Sequence, residues 1–251
     1  KAGGGQGSSN TDGSINTTYT SVNTTAGFSI SQYTGTGANA TVGHGLGVAP
    51  SMILFKNLIS SGGSAEHWLV YHKDVGPTKG LYLNLNNAQD TSAAFFNNTA
   101  PTNSVFYLGN GDKPNKSGEA NIAYCFAEKK GFSKFGNYTG NGNADGTFVY
   151  TGFKPAWVML KKSNSATSAD WQIQDSKRPS HNPLPYYLEA NTSNAEVDWT
   201  SSFPLDFLSN GFKFRSSGSQ ANNSGDTYVY MAFAQEPLVA NVRQGIPATA
   251  R

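Results

Sequence analysis

The sequence has very little cysteine and little charge, and these absences exclude several classes of protein. Among 251 residues there is one cysteine, Cys125, which excludes an internal disulfide framework and a cysteine metal cluster. Because Cys125 lies in the apolar run NIAYCFAE, we expect a buried, unreactive thiol. The net charge is only +2 and the basic residues are scattered, so no basic stripe suits a nucleic acid. No run of about 18 apolar residues is present, so we expect no membrane insertion.

Glycine and aromatic residues are abundant instead. The chain contains 28 glycines, and aromatic side chains make up 12% of it. Short segments such as TYVYMAFA have the composition and length of β-strands, and clusters of glycine, asparagine and serine separate them. No segment has the periodicity of a three-turn amphipathic helix. The sequence therefore predicts an all-β fold.

A long internal repeat organises the chain. The phrase GFSISQYTGTG begins at Gly27, and GFSKFGNYTGNG begins at Gly131. Four further matches follow in the same order, about 105 residues apart. They pair Pro50 with Pro155, Trp68 with Trp171, Leu83 with Leu188 and Phe126 with Phe233. We expect Phe126 and Phe233 to be buried, and we expect the duplication to give two tandem β-sandwiches of jelly-roll or lectin-like type. The alternative is one larger jelly roll built from both halves.

The repeat divides the chain into four segments. Residues 1–26 are rich in Gly, Ser, Thr and Asn and are expected to form an arm or linker. Residues 27–130 and 131–236 are the two repeats, and residues 237–251 are a C-terminal tail. The arm has too few large apolar side chains to offset its own ordering entropy, so another segment must hold it. That segment is either an edge strand of its own sandwich or a neighbouring copy, and we expect a homo-oligomer. The expected contacts of this homo-oligomer are Ile15, Tyr19, Leu238, Val239 and Val242.

Histidines and loop carboxylates form no recognisable metal or catalytic pattern. His44 lies between glycines and is expected to have a turn role. His67 and His72 fall on opposite faces of a strand, so they cannot both reach one zinc ion. No cofactor or metal site is predicted. Calcium remains an open alternative at carboxylates in Gly-Asn-Ser loops, namely Asp112, Asp145 and Asp226.

The acidic residues of the second repeat do not select a pair for glycoside hydrolysis. They are Asp170, Asp175, Glu189, Glu196, Asp198 and Asp206. We interpret them as solvated loop charges, and we interpret Asp175 and Arg178 in DSKRPSH as a local ion pair. The sequence therefore predicts that the chain is not an enzyme.

Tryptophan supplies the flat aromatic surface that sugar rings pack against. Trp68 and Trp171 recur in both repeats and Trp157 lies in an apolar strand, so we expect all three in the core. Trp199, in EVDWTSSF, has no tryptophan counterpart in the first repeat and lies among polar residues. It is the predicted ligand contact.

The second repeat also carries a family resemblance. The run GFSKFGNYTGNGNADGTFVYTGFKPAWVMLKK, a following Trp motif and the ending SGDTYVYMAFAQEP resemble repeats of tail-fibre and other virion proteins of tailed bacteriophages. The likeness covers both repeats, residues 27–236, and the flanking KAGGGQG and GIPATAR. It implies a location on the virion surface and a trimeric assembly, and it transfers no catalytic residue.

Three functions follow from these observations. The first is a non-catalytic virion surface module, in a tail fibre or similar appendage, that attaches to a host-surface glycan or protein. The second is a purely structural repeat that self-assembles into a fibre, filament or capsid decoration with other virion proteins. The third is a polysaccharide depolymerase, for which no carboxylate pair is evident.

Overall fold

The computed structural model describes residues 2–58, 67–167, 169–178, 181–198 and 204–235. Trp199, the predicted ligand contact, lies outside these residues. The tail positions Leu238, Val239 and Val242 also lie outside them, so their predicted role in an oligomer stays a prediction.

Nearly all of the regular secondary structure in the described residues is β-strand, which confirms the predicted all-β fold. The strands of the first half are β1 Tyr19–Asn23, β2 Phe28–Thr34, β3 Ala40–Gly43, β4 Met52–Asn57, β5 Leu69–His72, β6 Lys79–Tyr82, β7 Asp90–Thr91, β8 Val105–Leu108 and β9 Ala120–Phe126. Two four-residue helices, α1 Ala93–Phe96 and α2 Asp112–Asn115, flank β8. The strands of the second half are β10 Ser133–Thr139, β11 Phe148–Tyr150, β12 Pro155–Lys162, β13 Gln172–Asp175, β14 Tyr186–Glu189, β15 Val197–Asp198, β16 Leu205–Leu208, β17 Gly211–Phe214 and β18 Thr227–Ala234.

The chain divides into two compact units. Unit 1 comprises Lys1–Asn84 and Gln89–Glu128, and unit 2 comprises Leu85–Ala88 and Lys129–Arg251. Unit 1 has a seven-stranded sheet in the order β1-β2-β9-β4-β5-β6-β7 and a two-stranded sheet of β3 and β8. Unit 2 has a six-stranded sheet in the order β10-β18-β12-β13-β14-β15 and a three-stranded sheet in the order β11-β17-β16.

The large sheets of the two units have the same strand order. If β2 is matched with β10, β4 with β12 and β9 with β18, every strand of the sheet in unit 2 has its counterpart in unit 1, and β1 is the one additional strand of unit 1. The registers also correspond, because Met52 pairs with Phe126 in unit 1 and Trp157 pairs with Phe233 in unit 2. This correspondence supports our interpretation of the chain as a duplicated unit.

The registers correct two of the sequence matches. Phe28 pairs with Phe126, whereas the residue that pairs with Phe233 is Ser133, so Phe132 lies one position before the equivalent strand. The cause is one extra residue between GFS and the Tyr-Thr of the second repeat. The strand pairing also places Leu81, rather than Leu83, in the position of Leu188.

Two tyrosines hold corresponding loops in the two units. Tyr33 donates its hydroxyl proton to the carbonyl oxygen of Pro114 at 2.5 Å. Tyr138 donates in the same way to the carbonyl oxygen of Ala221 at 2.8 Å. Burial raises the pKa of both hydroxyl groups, so both remain protonated donors at any ordinary pH.

Two fully buried asparagines make a second set of corresponding bonds. The Nδ2 atom of Asn115 donates to the carbonyl oxygens of Ala38 at 2.6 Å and Gly109 at 2.9 Å. The Nδ2 atom of Asn222 donates to those of Asn143 at 3.0 Å and Ser216 at 2.8 Å. Each Oδ1 atom accepts a backbone N–H bond from the loop that follows the first strand of its repeat. Buried amides are stable only with such partners, and here both are satisfied.

The core of unit 2 lies between its two sheets. A continuous cluster of buried apolar side chains joins β10, β12 and β18 to β11, β16 and β17, as expected for a sandwich. Trp171 is buried, but Trp68 and Trp157 are half-buried. Phe126 and Phe233 are also half-buried, so the expectation that they lie fully inside the core is wrong. Both point to the face of the sheet where they contact Phe28 and Trp157 respectively.

The N-terminal arm packs on unit 1. Strand β1 forms the edge of the seven-stranded sheet, with Tyr19 opposite Gln32. Before it, Ser8 forms a bridge with Thr20, and Ile15 forms a parallel bridge with Val42. Ile15 is buried within this unit, and Tyr19 is half-buried. The arm thus makes contacts within its own unit, and the predicted role of Ile15 and Tyr19 in an oligomer stays a prediction.

Candidate functional site

The edge of the small sheet in unit 1 is closed by the arm. The backbone N–H of Ile15 donates to the carbonyl oxygen of Thr41 at 3.0 Å, so the arm extends the sheet beyond β3. At Gly43, an added Cβ atom would collide with the side chain of Asn10. The arm thus lies so close that the end of β3 has no room for a side chain.

The corresponding strand of unit 2 carries two exposed aromatic rings. Val42 pairs with Phe106 in unit 1 as Val149 pairs with Phe212 in unit 2, and all four side chains are buried. Phe148 and Tyr150 flank Val149 and point to the opposite face. Their exposed fractions are 44% and 64%, and they are the only large aromatic side chains so exposed among the described residues.

The strand register builds a mixed surface around these rings, which we call the aromatic face. Lys213 lies beside Phe148 and Asp206 lies beside Lys213 across the three strands. In the next row outward, Gly211 lies beside Tyr150 and Leu208 lies beside Gly211. The aromatic face therefore consists of Phe148, Tyr150, Leu208, Gly211, Lys213 and Asp206.

Gly211 keeps the centre of the aromatic face flat. A Cβ atom there would collide with the carbonyl oxygen of Val149 and would lie 3.0 Å from the ring of Phe148. The ring of Phe148 therefore leans over the glycine backbone. After β11, Gly152 has a φ of +83°, a left-handed conformation that turns the chain away beside the Tyr150 hydroxyl.

The charged groups at one end of the aromatic face are paired with each other. Lys213 Nζ lies 2.6 Å from Asp145 Oδ1, and Arg215 Nε lies 2.5 Å from Asp206 Oδ2. Arg215 Nη1 also lies 3.7 Å from Asp145 Oδ1 and links the two pairs. The hydrogen bond and charge of Lys213 lower the pKa of Asp145. The network supplies fixed donors and acceptors beside the rings.

This arrangement is suited to binding a flat or apolar ligand. Phe148 and Tyr150 are two residues apart on one strand, so their rings start about 7 Å apart along the surface. Exposed rings at such a spacing offer flat apolar area for sugar rings or for apolar side chains of a protein. The neighbouring carboxylates already accept bonds from cations, so none is a free acid or base at the surface.

The other predicted features have structural roles. His44 is buried, and its Nδ1 atom accepts the N–H of Leu46 at 3.1 Å while its Nε2 atom lies 3.1 Å from the carbonyl oxygen of Thr102. Burial lowers the pKa of His44, which favours the neutral ring. The predicted ion pair of Asp175 and Arg178 is confirmed, with 2.8 Å between Oδ2 and Nε. Cys125 is confirmed as buried.

Two of the three loop carboxylates considered for calcium are paired with lysines. Asp145 pairs with Lys213, and Asp226 Oδ2 lies 3.0 Å from Lys162 Nζ. A carboxylate neutralised by a lysine is a poor calcium ligand. Within the described residues, no group of three or more His, Cys, Asp or Glu side chains is arranged to hold a metal ion.

Sequence reasoning missed Phe148 and Tyr150. The available signal was their position in the second repeat, where TFVYTG places two aromatic residues either side of a buried valine. The first repeat has Thr41 and Gly43 at these positions. A large aromatic residue that replaces a small one on the outer face of a repeated strand indicates a change of surface function.

The structure thus defines an all-β chain with an exposed aromatic face. None of the helices among the described residues is long and apolar enough to span a bilayer. Residues 1–237 match the family described as a domain of unknown function, DUF7483, and the chain belongs to this family. No curated protein shows significant similarity to the chain. No solved structure matches it either.

Proposed function

We propose that the chain is a non-catalytic surface module of a tailed-phage virion, in a tail fibre or similar appendage, that attaches to a host-surface glycan or protein. The aromatic face of unit 2 is the binding surface. The virion location rests on the resemblance of the repeats, and the binding role rests on the exposed rings of Phe148 and Tyr150.

The observation that carries the binding role is the contrast with unit 1. Exposed apolar patches that are rimmed by polar residues mark interaction sites. In unit 1 the matching positions are small and the arm lies against them. In unit 2 the same positions carry a Phe and a Tyr, and Gly211 lets the ring of Phe148 lie flat against the backbone beside it.

The test is a glycan array probed with the purified chain, followed by measurement of affinity for the bound glycans. We expect the double variant Phe148→Ala/Tyr150→Ala to lose about tenfold or more in affinity, because aromatic anchors dominate such surfaces. Val48→Ala/Leu58→Ala is the matched control, since it removes exposed apolar side chains from unit 1. Equal binding by both double variants would remove the aromatic face from the proposal.

A second function, structural self-assembly, is favoured by the edge of β11. Strand β11 is the outer strand of the three-stranded sheet, and among the described residues no segment pairs with its free side as the arm does with β3. Free edges accept strands from other chains. Light scattering tests this function: a homo-oligomer, a trimer if the fibre resemblance holds, should dissociate in a Tyr150→Lys variant, because an edge lysine opposes pairing.

A depolymerase is the least supported function. Asp175 and Glu196 share the guanidinium of Arg178, and Asp206 is bound by Arg215. These carboxylates are therefore hydrogen-bonded ion-pair partners, and none is in the apolar setting that raises a carboxyl pKa for acid catalysis. Release of reducing ends from host capsule would overturn this assignment.

A further inference from the structure

A groove at one end of unit 2 is distinct from the aromatic face. Its volume is about 210 Å³, and it lies where β12 begins and where β13 and β18 end. Its lining is mainly polar, with the buried side chains of Leu184 and Phe207 as its apolar part. The lining residues are Lys154, Ser176, Lys177, His181, Asn182, Leu184, Phe207 and Gln235.

Hydrogen bonds fix the backbone on each side of the groove. The N–H of Lys177 donates to Asp175 Oδ1 at 2.9 Å, which closes a turn at the end of β13. The N–H of Gln235 donates to the carbonyl oxygen of Lys154 at 2.9 Å. Asn182 exchanges two hydrogen bonds with the backbone of Phe207, at 2.9 and 3.1 Å, and so holds its own segment of the groove lining against β16. The groove is thus built on a fixed frame.

One bond beside the groove has a counterpart in unit 1. The N–H of Lys73 donates to the carbonyl oxygen of Ser51 at 2.9 Å, and the N–H of Ser176 donates to that of Ala156 at 2.9 Å. These bonds identify Ser176 as the counterpart of Lys73. It follows that Lys177 corresponds to Asp74, and the β9 and β18 registers make Gln235 the counterpart of Glu128. The matched prolines make Lys154 the counterpart of Ala49.

The charges at these four positions differ between the units. In unit 1, Lys73 Nζ lies 3.1 Å from Glu128 Oε2, and Asp74 adds a second carboxylate. In unit 2 the matching positions have no carboxylate, and two lysines are present instead. Neither Lys154 nor Lys177 has an ion-pair partner among the described residues. These positions therefore carry an ion pair in unit 1, whereas in unit 2 they carry two lysines without an ion-pair partner among the described residues.

Two acidic residues near the turn after β13 pair with an arginine rather than with these lysines. Asp175 and Glu196 lie 2.8 and 2.9 Å from nitrogens of Arg178. These two carboxylates are engaged with Arg178, so they leave the ammonium groups of both lysines available to a ligand. The groove is suited to one singly charged oxyanion, with Lys154 and Lys177 as the charged donors and Ser176 as a neutral one.

We propose that this groove binds an anionic group on an acidic polysaccharide, either a uronate carboxylate or a sulfate ester. Both groups present oxygen atoms that accept bonds from ammonium groups, and both carry one negative charge. The saccharide ring to which the anion is attached packs toward Leu184 and Phe207. This site is separate from the aromatic face, but the choice of a polysaccharide as the carrier of the anion rests on the proposed attachment to a host-surface glycan.

The test measures binding of three probes by calorimetry at low ionic strength. The probes are an oligogalacturonate for the carboxylate, a sulfated dextran oligosaccharide for the sulfate, and neutral dextran of matched length. We expect binding of at least one charged probe and no binding of neutral dextran. Preference for one charged probe identifies the anion. Failure of both charged probes would overturn the proposal.

Variants separate a specific groove from general attraction to a basic chain. Lys154→Ala/Lys177→Ala should weaken binding of the charged probe about tenfold or more, because each charge-assisted bond is a large part of the interaction. The triple variant Lys154→Ala/Lys177→Asp/Gln235→Glu places the two carboxylates of unit 1 in the groove and should bind more weakly still. Lys130→Ala, an exposed lysine of unit 2 outside the groove, is the control. An equal loss in this control would overturn the proposal.

The outcome is distinguishable from failure of the function proposed above. The variant Phe148→Ala/Tyr150→Ala should bind the charged probe as the unmodified chain does. All substituted groove residues are exposed, so thermal unfolding should be unchanged and loss of binding cannot be attributed to misfolding.

Discussion

In unit 1 the chain's own arm pairs with the edge of β3, whereas in unit 2 the corresponding strand β11 presents Phe148 and Tyr150 to solvent. A second difference lies at the end of the large sheet, where an ion pair in unit 1 is replaced by two lysines in unit 2. The buried hydrogen bonds of Tyr33 and Tyr138 are nevertheless the same. The comparison teaches that the two units share these buried hydrogen bonds, whereas the side chains at corresponding surface positions differ.

The tryptophan pair offers the largest expected difference between the units. Trp171 is only 1% exposed, whereas Trp68 is half-buried and stacks on Tyr124 with ring centroids 6.1 Å apart. We expect Trp171→Ala to lower the free energy of unfolding by about 3–5 kcal/mol, because it leaves a cavity in the core. Trp68→Ala should cost about 1–2 kcal/mol, since less area is lost to water. Chemical denaturation measures both; equal costs would mean that the two sites are equally packed.

The buried asparagines test the similarity of the units rather than their difference. We expect Asn115→Ala and Asn222→Ala each to cost about 2–4 kcal/mol, because each change leaves several buried backbone groups without a partner. The two costs should agree within about 1 kcal/mol. Asn39→Ala, at an exposed position, is the control for a lost surface amide. A large cost at only one of the two buried sites would contradict a common role.

A buried lysine distinguishes unit 2 by its pH dependence. Lys161 is 0% exposed, and burial lowers its pKa to about 8, whereas the corresponding Lys56 is half-buried. The unfolded chain holds this proton up to about pH 10.4, so between pH 8 and that value it binds more protons than the folded chain. Stability should therefore rise as the pH increases through this window, by about 1–3 kcal/mol in total.

The measurement is the unfolding free energy between about pH 8 and 9.5, below the range in which unfolded tyrosines ionise. It is made in a Cys125→Ala background, because burial raises the pKa of the Cys125 thiol and its ionisation in the unfolded chain would oppose the rise. We expect Lys161→Met to abolish the rise and Lys56→Met to retain it. Asp170 acts in the opposite direction by favouring the charged amine, so Asp170→Asn should steepen the rise. A rise of the same size in Lys161→Met would assign the pH dependence to another group.

The sequence predicts the strands well because their determinants are local. Glycine and asparagine clusters mark the turns, and five ordered matches indicate a repeat before any pairing is known. Exposure is harder to predict, because it depends on which segment lies against a strand. The arm lies against β3, and Gly211 lies beside Phe148, but in each case many residues separate the two partners in the sequence. For the same reason Phe126 and Phe233 were expected inside, although neighbouring aromatic rings leave them half-buried.

The ion pair of Lys73 and Glu128 gives the smallest expected effect and completes the comparison. Its side chains are 37% and 29% exposed, so solvent screens their attraction and the pair contributes about 0–1 kcal/mol. Glu128→Gln, which makes unit 1 resemble unit 2 at this position, should therefore change the unfolding free energy by less than about 1 kcal/mol. High salt should reduce even that change. A cost above about 2 kcal/mol, measured by chemical denaturation against Lys130→Ala, would mean that the pair is structural. A small cost would mean that unit 2 can lack this ion pair, and have the proposed anion-binding groove in its place, without loss of stability.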